Sequence, residues 1–272
     1  MLAIERQKKI CEWIEQTGVV GIGELTERFA VSIETIRRDL LELERQKKLT
    51  RVHGGAVKAA ESKAYQKLAV RKEENLSGKV HLSEAAAQLI REGDSIMVDS
   101  GSTAVEFAHM LAQQFERLTV ITHSLEVFEI LREKESFTVY LCSGSYERDE
   151  KAFIGIWTVE MIQQFHARTA FLFPSALSLQ YGIMDYHKEL FEVQKTLMRQ
   201  AERVVFLADS TKFEKNALLK VANMKDAYAI VTDEGLDDKI YELYRKENIP
   251  VIRGREEKEN GTTGKGEHKS GI

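Results

Sequence analysis

The stretch from Val31 to Val57 reads "VSIETIRRDLLELERQKKLTRVHGGAV" and decides the fold of the amino-terminal part of the chain. Ser32 is a favourable N-cap residue for a helix. Beyond this cap, Ile36, Leu40 and Leu43 fall on one side of a helix that turns by about 100° per residue. Two adjacent arginines lie away from that side. The pattern therefore predicts a short helix with an apolar face and a basic face.

The basic face is suited to reading DNA. Recognition helices lie in the major groove with their N-terminal residues at the base edges, where arginine reaches guanine or phosphate groups. We predict DNA contacts from Ser32, Thr35, Arg37 and Arg38. Asp39 would repel phosphate, so we interpret it as a structural residue that orients a neighbouring arginine. The alternative is that the arginines form only a solvated face.

The flanking segments complete a known arrangement. "VVGI" predicts a short strand and "GELTERFA" a short helix before the basic helix, and "KLTRVHGGAV" predicts a hairpin with a Gly-Gly turn after it. Such a hairpin would place Arg51 and His53 against the sugar-phosphate backbone or the minor groove. Residues 1–57 are therefore predicted to form a winged helix-turn-helix, mostly α-helical with a small β-hairpin.

Composition limits the other possibilities. The 272 residues, 43% of them hydrophobic, suit about two globular domains. Cys11 and Cys142 are far apart and in no ligand spacing, so a reduced, cytoplasmic setting without a metal site is expected. We find neither a signal peptide nor an apolar run of about 20 residues. The net charge of −4 conceals a basic excess over residues 28–58, where eight Lys and Arg face four Asp and Glu.

The rest of the chain predicts an α/β domain. Residues 58–80 are polar and helix-prone, like a linker, and residues 253–272 lack apolar periodicity and are predicted to be a disordered tail. Between them, residues 81–252 alternate helical stretches with short apolar runs, the pattern of a largely parallel sheet. The runs are "SIMVD", "LTVIT", "FTVYLC", "TAFLF", "RVVFLA", "YAIVT" and "IPVI".

Small polar residues follow several of these predicted strands. In "GDSIMVDSGSTAVEFAHML" (93–111), a strand ends at Asp99 and runs through Ser100 to Thr103 into a helix, whose N-terminus favours an anion. His123, Ser143 with Gly144, and Asp209 with Lys212 follow other strands, and ligands bind at such strand ends in open α/β sheets. The chain lacks the Walker and dinucleotide fingerprints, so we predict no ATP or NAD cofactor. An ordinary capping turn and a solvated Lys212 are the alternatives.

These residues match a known family. The pattern "VSxxTIRRDLxxLxxxxxLxRxHGGA", residues 31–56, resembles the DNA-binding domain of the DeoR family of bacterial transcriptional regulators. Residues 80–252 resemble the effector-sensing domain of that family, which is similar in fold to ribose phosphate isomerase. Asp99 to Thr103 meet the family's Asp-Ser-Gly-Thr/Ser-Thr loop, and Asp209 to Phe213 meet its Asp-x-x-Lys-Phe segment.

The resemblance implies a phosphorylated sugar or sugar-like effector. It places Gly101, Ser102 and Thr103 near the phosphate and Lys212 along the site. The chain departs from the family pattern at His123, Ser143 and Phe173, where Asn, Gly and Gly are usual. The predicted effector-binding residues are Asp99, Ser100, Gly101, Ser102, Thr103, His123, Ser143, Gly144, Glu192, Asp209 and Lys212.

The leading hypothesis is a DNA-binding transcriptional regulator, a repressor of a sugar or sugar-alcohol catabolic operon that is controlled by a phosphorylated sugar. A homodimer or homotetramer is expected on double-stranded operator DNA, because palindromic half-sites mirror two-fold symmetry. One alternative is a sugar phosphate isomerase-like enzyme with a DNA-binding appendage, although no acid–base pair emerges from the sequence. The other is a regulator whose effector site is altered or lost.

Overall fold

The computed structural model describes residues 3–17, 19–46, 48–52, 55–58 and 67–254. The chain divides into two compact units between Gln66 and Lys67. This division falls inside the segment predicted to be a linker, and residue 67 and those after it belong to the second unit. Most of the predicted tail, from residue 255 onward, lies outside the described residues.

The first unit is a winged helix-turn-helix, as predicted. Its elements are α1 (Ala3–Thr17), β1 (Val19–Gly21), α2 (Ile22–Phe29), α3 (Ile33–Arg45), β2 (Leu49–Val52) and β3 (Gly55–Lys58). The strands form an antiparallel sheet in the order β1-β3-β2. Nine buried apolar residues make its core: Ile10, Ile14, Val20, Leu25, Ile36, Leu40, Leu43, Leu49 and Ala56.

Gly55 shows why the hairpin needs a glycine on its returning strand. Strand β3 lies between β1 and β2, and Gly55 is paired with Gly21 of β1. A Cβ atom at Gly55 would lie 2.1 Å from the carbonyl oxygen of Val20. Any side chain would therefore push β3 away from β1 and open the small sheet.

The second unit is a three-layer α/β domain. Its first half contains α4 (Leu68–Glu73), α5 (Leu76–Ala87), β4 (Ser95–Val98), α6 (Ser102–Gln114), β5 (Thr119–Thr122), α7 (Leu125–Leu131), β6 (Thr138–Leu141), β7 (Ser145–Glu147), β8 (Ala152–Ile154) and α8 (Ile156–Ile162). Its second half contains β9 (Ala167–Leu172), β10 (Ala176–Ser178), β11 (Gly182–Asp185), α9 (Lys188–Arg199), β12 (Ala201–Leu207), β13 (Leu219–Ala222), β14 (Ala229–Thr232), α10 (Asp238–Lys246) and β15 (Val251–Arg253).

The seven apolar runs form one parallel sheet in the order β15-β14-β12-β9-β4-β5-β6. Consecutive residues of a strand point to opposite faces. Val205 and Leu207 accordingly pack in the core with helices α5, α6 and α7. Val204 and Phe206 pack in the core with α8, α9 and α10. Burial on both faces explains why the inner strands are nearly continuously apolar.

Two small antiparallel sheets lie outside the predicted pattern. Strands β10, β11 and β13 form one of them, and β7 and β8 form a hairpin after β6. The hairpin is attached to the end of β5 by a bridge between Ser124 and Ala152. Because all strands of the main sheet are parallel, their carboxyl ends share one edge, where the predicted effector residues follow them.

Candidate functional site

Helix α3 has the features that a DNA-reading helix requires. The Ser32 hydroxyl accepts a hydrogen bond from the backbone N–H of Thr35 at 3.3 Å and caps the helix. Ile36, Leu40 and Leu43 are at most 1% exposed, so the helix is fixed to the core of its unit. Thr35 is half-buried, and its hydroxyl lies 2.9 Å from that of Ser32.

The two arginines of α3 face solvent. The Arg37 side chain is 62% exposed, and its guanidinium lies 3.6 Å from the Glu34 carboxylate, an exposed pair that contributes little to stability. Arg38 is exposed and has no hydrogen bond or ion pair within the described part of the chain. No described residue of the first unit therefore competes with DNA for the Arg38 guanidinium.

Asp39 is structural, as predicted, but its partners are on helix α1. Asp39 is 4% exposed. Its Oδ2 accepts a hydrogen bond from Arg6 Nε at 2.5 Å, and its Oδ1 accepts one from Gln7 Nε2 at 2.9 Å. Asp39 therefore joins helix α3 to helix α1 and does not orient Arg37 or Arg38.

Arg51 lies on strand β2, where the Glu44 carboxylate holds it. The Arg51 backbone N–H donates to Glu44 Oε1 at 3.0 Å and its Nε donates to Oε2 at 2.7 Å. These two hydrogen bonds, the backbone one first, lower the pKa of Glu44. Arg51 thus has a fixed position on the hairpin, and His53 lies outside the described residues.

At the carboxyl edge of the parallel sheet, Gly101 is the N-cap residue of helix α6. Its φ of +139° lies in a region that favours glycine. No side chain caps the N-terminus of α6, whereas Ser124 caps α7 and Asp237 caps α10. The first N–H groups of α6 and its helix dipole are therefore suited to an anion, with Ser102 and Thr103 in its first turn.

His123 and Asp99 form a buried pair beside this loop. His123 Nε2 lies 2.8 Å from Asp99 Oδ1, and its Nδ1 lies 2.8 Å from the carbonyl oxygen of Phe153. A carbonyl oxygen only accepts, so Nδ1 carries a proton. A hydrogen bond between Nε2 and the Asp99 carboxyl needs a second proton, which either Nε2 or the carboxyl must carry. Both side chains are completely buried, so the histidine that departs from the family pattern is part of the site's interior.

Gln194 and Asp185 extend the pair into a network. Gln194 Nε2 donates to Asp99 Oδ2 at 3.2 Å and to Asp185 Oδ2 at 3.0 Å. Burial, together with the nearby Asp99 charge, raises the pKa of Asp185 despite the hydrogen bonds that it accepts from Gln194 and Ser175. Glu192 is exposed and lies outside this network.

The sequence alone did not identify Gln194. Its side chain contacts a residue 95 positions earlier, and a buried glutamine has no local sequence signal. Asp185 is the other member of this network that is not among the predicted effector-binding residues. It is the last residue of strand β11, and helix α9 begins three residues later, at Lys188.

Phe173, Ser143 and Gly144 lie at the same edge of the sheet. The Phe173 ring belongs to the hydrophobic core, with its centroid 6.1 Å from that of Phe107. Ser143 is exposed, and its carbonyl oxygen accepts a hydrogen bond from the Thr158 hydroxyl at 3.2 Å. A Cβ atom at Gly144 would lie 2.2 Å from that hydroxyl, so this glycine is required by a close approach.

Asp209 caps a short 3-10 turn after β12, and Lys212 is the last residue of that turn. Asp209 Oδ1 accepts a hydrogen bond from the Thr211 N–H at 3.0 Å and shapes the turn. Lys212 is half-buried, and its ammonium has no hydrogen bond or ion pair to any residue that the structure describes. The pKa of the buried Lys79 is lowered, and burial is the largest cause. The nearby Asp209 charge raises the Lys79 pKa, and the nearby Lys212 charge lowers it. The Lys79 and Lys212 ammonium groups therefore both lie near Asp209.

Helix α4, which opens the second unit, is held by buried and half-buried ion pairs. Arg71 Nη2 donates to both Glu150 oxygens, at 2.7 and 2.6 Å, and Glu150 is 1% exposed. The Lys79 ammonium donates to the carbonyl oxygen of Arg71. Lys72 donates to Glu126 at 2.8 Å. The segment that follows the first unit is thus attached to the hairpin next to His123.

An open basic cleft of about 650 Å³ lies at the opposite edge of the sheet. Its lining includes Lys195, Arg199 and Arg203. Lys195 donates to the Val221 carbonyl at 3.0 Å, and Arg203 donates to the hydroxyl of Thr169 at 2.7 Å. Protein groups therefore already engage these cations, unlike Lys212. Among the described residues, no helix is both long enough and apolar enough to cross a membrane.

Comparisons with known proteins agree with this geometry. A family model described as "DeoR-like helix-turn-helix domain" matches residues 6–62, and one described as "DeoR C terminal sensor domain" matches residues 74–234. The chain is 33% identical to the transcriptional repressor AccR of Agrobacterium fabrum, over 85% of this chain and 90% of that protein. It is 30% identical to the glycerol-3-phosphate regulon repressor of Haemophilus influenzae, over 84% and 89%.

Among solved structures, the ribose 5-phosphate isomerase A of Methanocaldococcus jannaschii matches with a TM-score of 0.38 and 16% identity, covering 52% of this chain and 55% of that one. The two family models together span both compact units, and the capped recognition helix and the parallel α/β sheet correspond to them. The chain therefore belongs to the DeoR family of DNA-binding transcriptional regulators.

Proposed function

We propose that the chain is a cytoplasmic repressor of a sugar or sugar-alcohol catabolic operon, and that a phosphorylated sugar controls its affinity for operator DNA. Residues 1–57 bind the operator and residues 81–252 bind the effector. The observation that carries this proposal is the uncapped N-terminus of α6 at the strand edge, on the same edge as the unengaged Lys212 ammonium. An N-terminal helix dipole and a lysine together suit a phosphate dianion.

The relatives support the effector class. One of them is named for the regulon of glycerol 3-phosphate, a phosphorylated polyol. At the phosphate end, Gly101, Ser102 and Thr103 supply the helix start, while Asp209 shapes the turn that presents Lys212. Asp99 and His123 form the buried polar pair next to this loop.

Two features favour a regulator that responds to its ligand over one that has lost it. The Phe173 ring packs with Phe107 in the core, and only the Phe173 Cβ lies close to the loop, 3.5 Å from where a Cβ at Gly101 would be. Ser143 is exposed and contributes only its carbonyl oxygen to a described contact. The departures from the family pattern therefore change the polar lining of the site rather than fill it.

Control of DNA binding requires that the effector bind two conformations unequally. The attachment of α4 through Arg71 to Glu150 and Lys79 supplies a physical connection between the effector site and the segment that leads to the DNA-binding unit. A homodimer or homotetramer is expected, because two recognition helices read two half-sites of a palindrome.

A ligand screen tests the proposed effector class. Thermal unfolding of the full-length protein would be followed with inorganic phosphate, with a panel of phosphorylated sugars and polyols, and with the same compounds without phosphate. At least one phosphate ester should raise the unfolding temperature, because a ligand that binds only the folded state stabilises it. Stabilisation by the unphosphorylated compounds alone would contradict the phosphate site. Turnover of a pentose phosphate by the purified protein would favour an enzyme instead.

A further inference from the structure

Two buried polar atoms at the candidate site have no hydrogen-bond partner among the described residues. They are Oε1 of Gln194 and Oγ of Ser100. The two residues are 2% and 4% exposed, respectively. Buried polar groups in native proteins are nearly always satisfied, so unpaired atoms at a functional site call for a missing partner.

Both atoms belong to residues that bind the same carboxylate. The Ser100 N–H donates to Asp99 Oδ1 at 2.8 Å. Gln194 Nε2 donates to Asp99 Oδ2 at 3.2 Å. The next residue after Ser100 is Gly101, which begins the loop assigned to the phosphate. Both unpaired atoms therefore belong to residues that are linked through Asp99 to the start of the phosphate loop.

The donors and acceptors of this network determine which chemical group can hydrogen-bond to Gln194 Oε1 and Ser100 Oγ. The Gln194 NH2 group donates to two carboxylates, so the amide can have only one orientation and Oε1 can only accept. Both ring nitrogens of His123 are engaged, by Asp99 and by the Phe153 carbonyl. Ser100 Oγ can both donate and accept. A hydroxyl group satisfies this pair of atoms, whereas a second anion or an alkyl group does not.

We propose that Gln194 and Ser100 bind a hydroxyl group of the effector, so that the site selects a phosphate ester with that hydroxyl over the otherwise identical deoxy compound. This inference rests on the proposed function and adds the residues that determine specificity. A site built to hydrogen-bond a ligand hydroxyl rejects the analogue that lacks it, because its own buried polar groups are then left unpaired.

Two substitutions separate this role from folding. Ser100→Ala removes a hydroxyl that bonds no described residue, so the unliganded protein should remain folded. Gln194→Lys keeps a donor between Asp99 and Asp185 but removes the acceptor. Thr232→Val is the matched control, since the Thr232 hydroxyl is also buried and unpaired, at the end of β14, three strands along the sheet from β4.

Binding would be measured by calorimetry on the full-length protein. The probes are inorganic phosphate, ribose 5-phosphate and its 2-deoxy analogue, and glycerol 3-phosphate and its analogue without the central hydroxyl. For at least one pair, the wild type should bind the hydroxylated ester about tenfold more tightly. Ser100→Ala should bring that ratio close to one and leave the affinity for inorganic phosphate unchanged, and Gln194→Lys should also bring the ratio close to one. Thr232→Val should behave like the wild type.

The possible failures are distinguishable. An unchanged ratio in both variants overturns the inference alone, and means that an internal water satisfies the two atoms. A wild type that binds esters without discriminating within either pair also overturns it. A wild type that binds none of the phosphate esters overturns the proposed effector class together with the inference. Should Gln194→Lys fail to fold, Ser100→Ala still decides between these outcomes.

Discussion

Arg38 and Asp39 are neighbours in helix α3, yet one side chain faces solvent and the other is buried. The helical period separates them by about 100°, enough to place Asp39 against helix α1 and Arg38 on the outer face. Arg6 and Gln7 engage both Asp39 oxygens. The carboxylate is thereby neutralised and fixed inside the unit, and the basic surface of α3 is left to Arg37 and Arg38.

Arg38→Ala should weaken operator binding by about 1–3 kcal/mol if Arg38 contacts a base edge. Fluorescence anisotropy with the intergenic DNA upstream of the chain's own gene would measure it. Arg45→Ala is the matched control, because Arg45 is exposed in the last turn of the same helix. Equal affinities for wild type and Arg38→Ala would remove Arg38 from the DNA interface.

Asp185 should make stability depend on pH. Its pKa is raised in the folded protein, mainly by burial, so the protonated form is favoured there. The stability that this group contributes is therefore fully present below its unfolded pKa, about 3.9, and is lost as pH rises through the folded pKa.

Asp185→Asn removes that dependence. Its free energy of unfolding in urea should improve relative to wild type as the pH rises from about 4. The quantity to compare is the difference in the free energy of unfolding between wild type and Asp185→Asn, because the contributions of all other titrating groups cancel in that difference. A difference that does not vary with pH would show that burial does not perturb this carboxyl.

The residues that could be predicted were those with local signals. The cap at Ser32 and the outward position of the α3 arginines follow from capping and helical period, and the strand-end positions of Asp99 to Thr103 and of Lys212 follow from the apolar runs before them. Gln194 could not be predicted, because its role arises only when α9 packs against the sheet. The pairing of Asp39 with Arg6 likewise joins residues 33 positions apart.

Helix α4 is short, and six residues cannot be stable by propensity alone. Its attachment comes from Leu68, which is 1% exposed and whose N–H donates to the Asp149 carbonyl at 3.0 Å, and from the ion pair between Arg71 and Glu150. These contacts explain why part of the predicted linker is integral to the second unit.

Glu150→Gln should destabilise the second unit by about 3 kcal/mol, because it removes a buried charge that pairs with the mostly buried Arg71 guanidinium. Asp149→Asn is the control at the adjacent position, where the ion pair with Lys67 is exposed and should contribute less than about 1 kcal/mol. Urea unfolding gives both values. Equal costs for the two variants would contradict a structural role for the buried pair.

Element prediction succeeded where burial imposed a pattern and failed where it did not. The five inner strands of the main sheet are largely buried on both faces and therefore appear as apolar runs, whereas the edge strand β6 is partly exposed. Strands β7 and β8 have three residues each, and β7 is largely exposed, so neither produces a run that stands out from a loop. Strands β10 and β11 are buried, but three and four residues are too few to show a pattern, and β13 pairs with β11 across helix α9 and strand β12.

The two compact units carry different functional features. The first carries the basic helix, and the second carries the polar strand edge with Lys212. Neither unit alone is a conditional regulator, because a DNA-binding unit without a sensor cannot respond and a sensor without a DNA contact has no output. Coupling free energies in such systems are typically about 1–3 kcal/mol.

The decisive measurement is the operator affinity of wild type, Lys212→Ala and Lys215→Ala, each with and without the phosphate ester that stabilises the wild type. Lys215 is exposed three residues further on and serves as the matched control. We predict that the ester changes the affinity of wild type and Lys215→Ala by about 5- to 150-fold. Lys212→Ala should bind DNA normally and not respond. An affinity that no phosphate ester changes, or a Lys212→Ala variant that responds fully, would contradict regulation by a phosphorylated effector at this site.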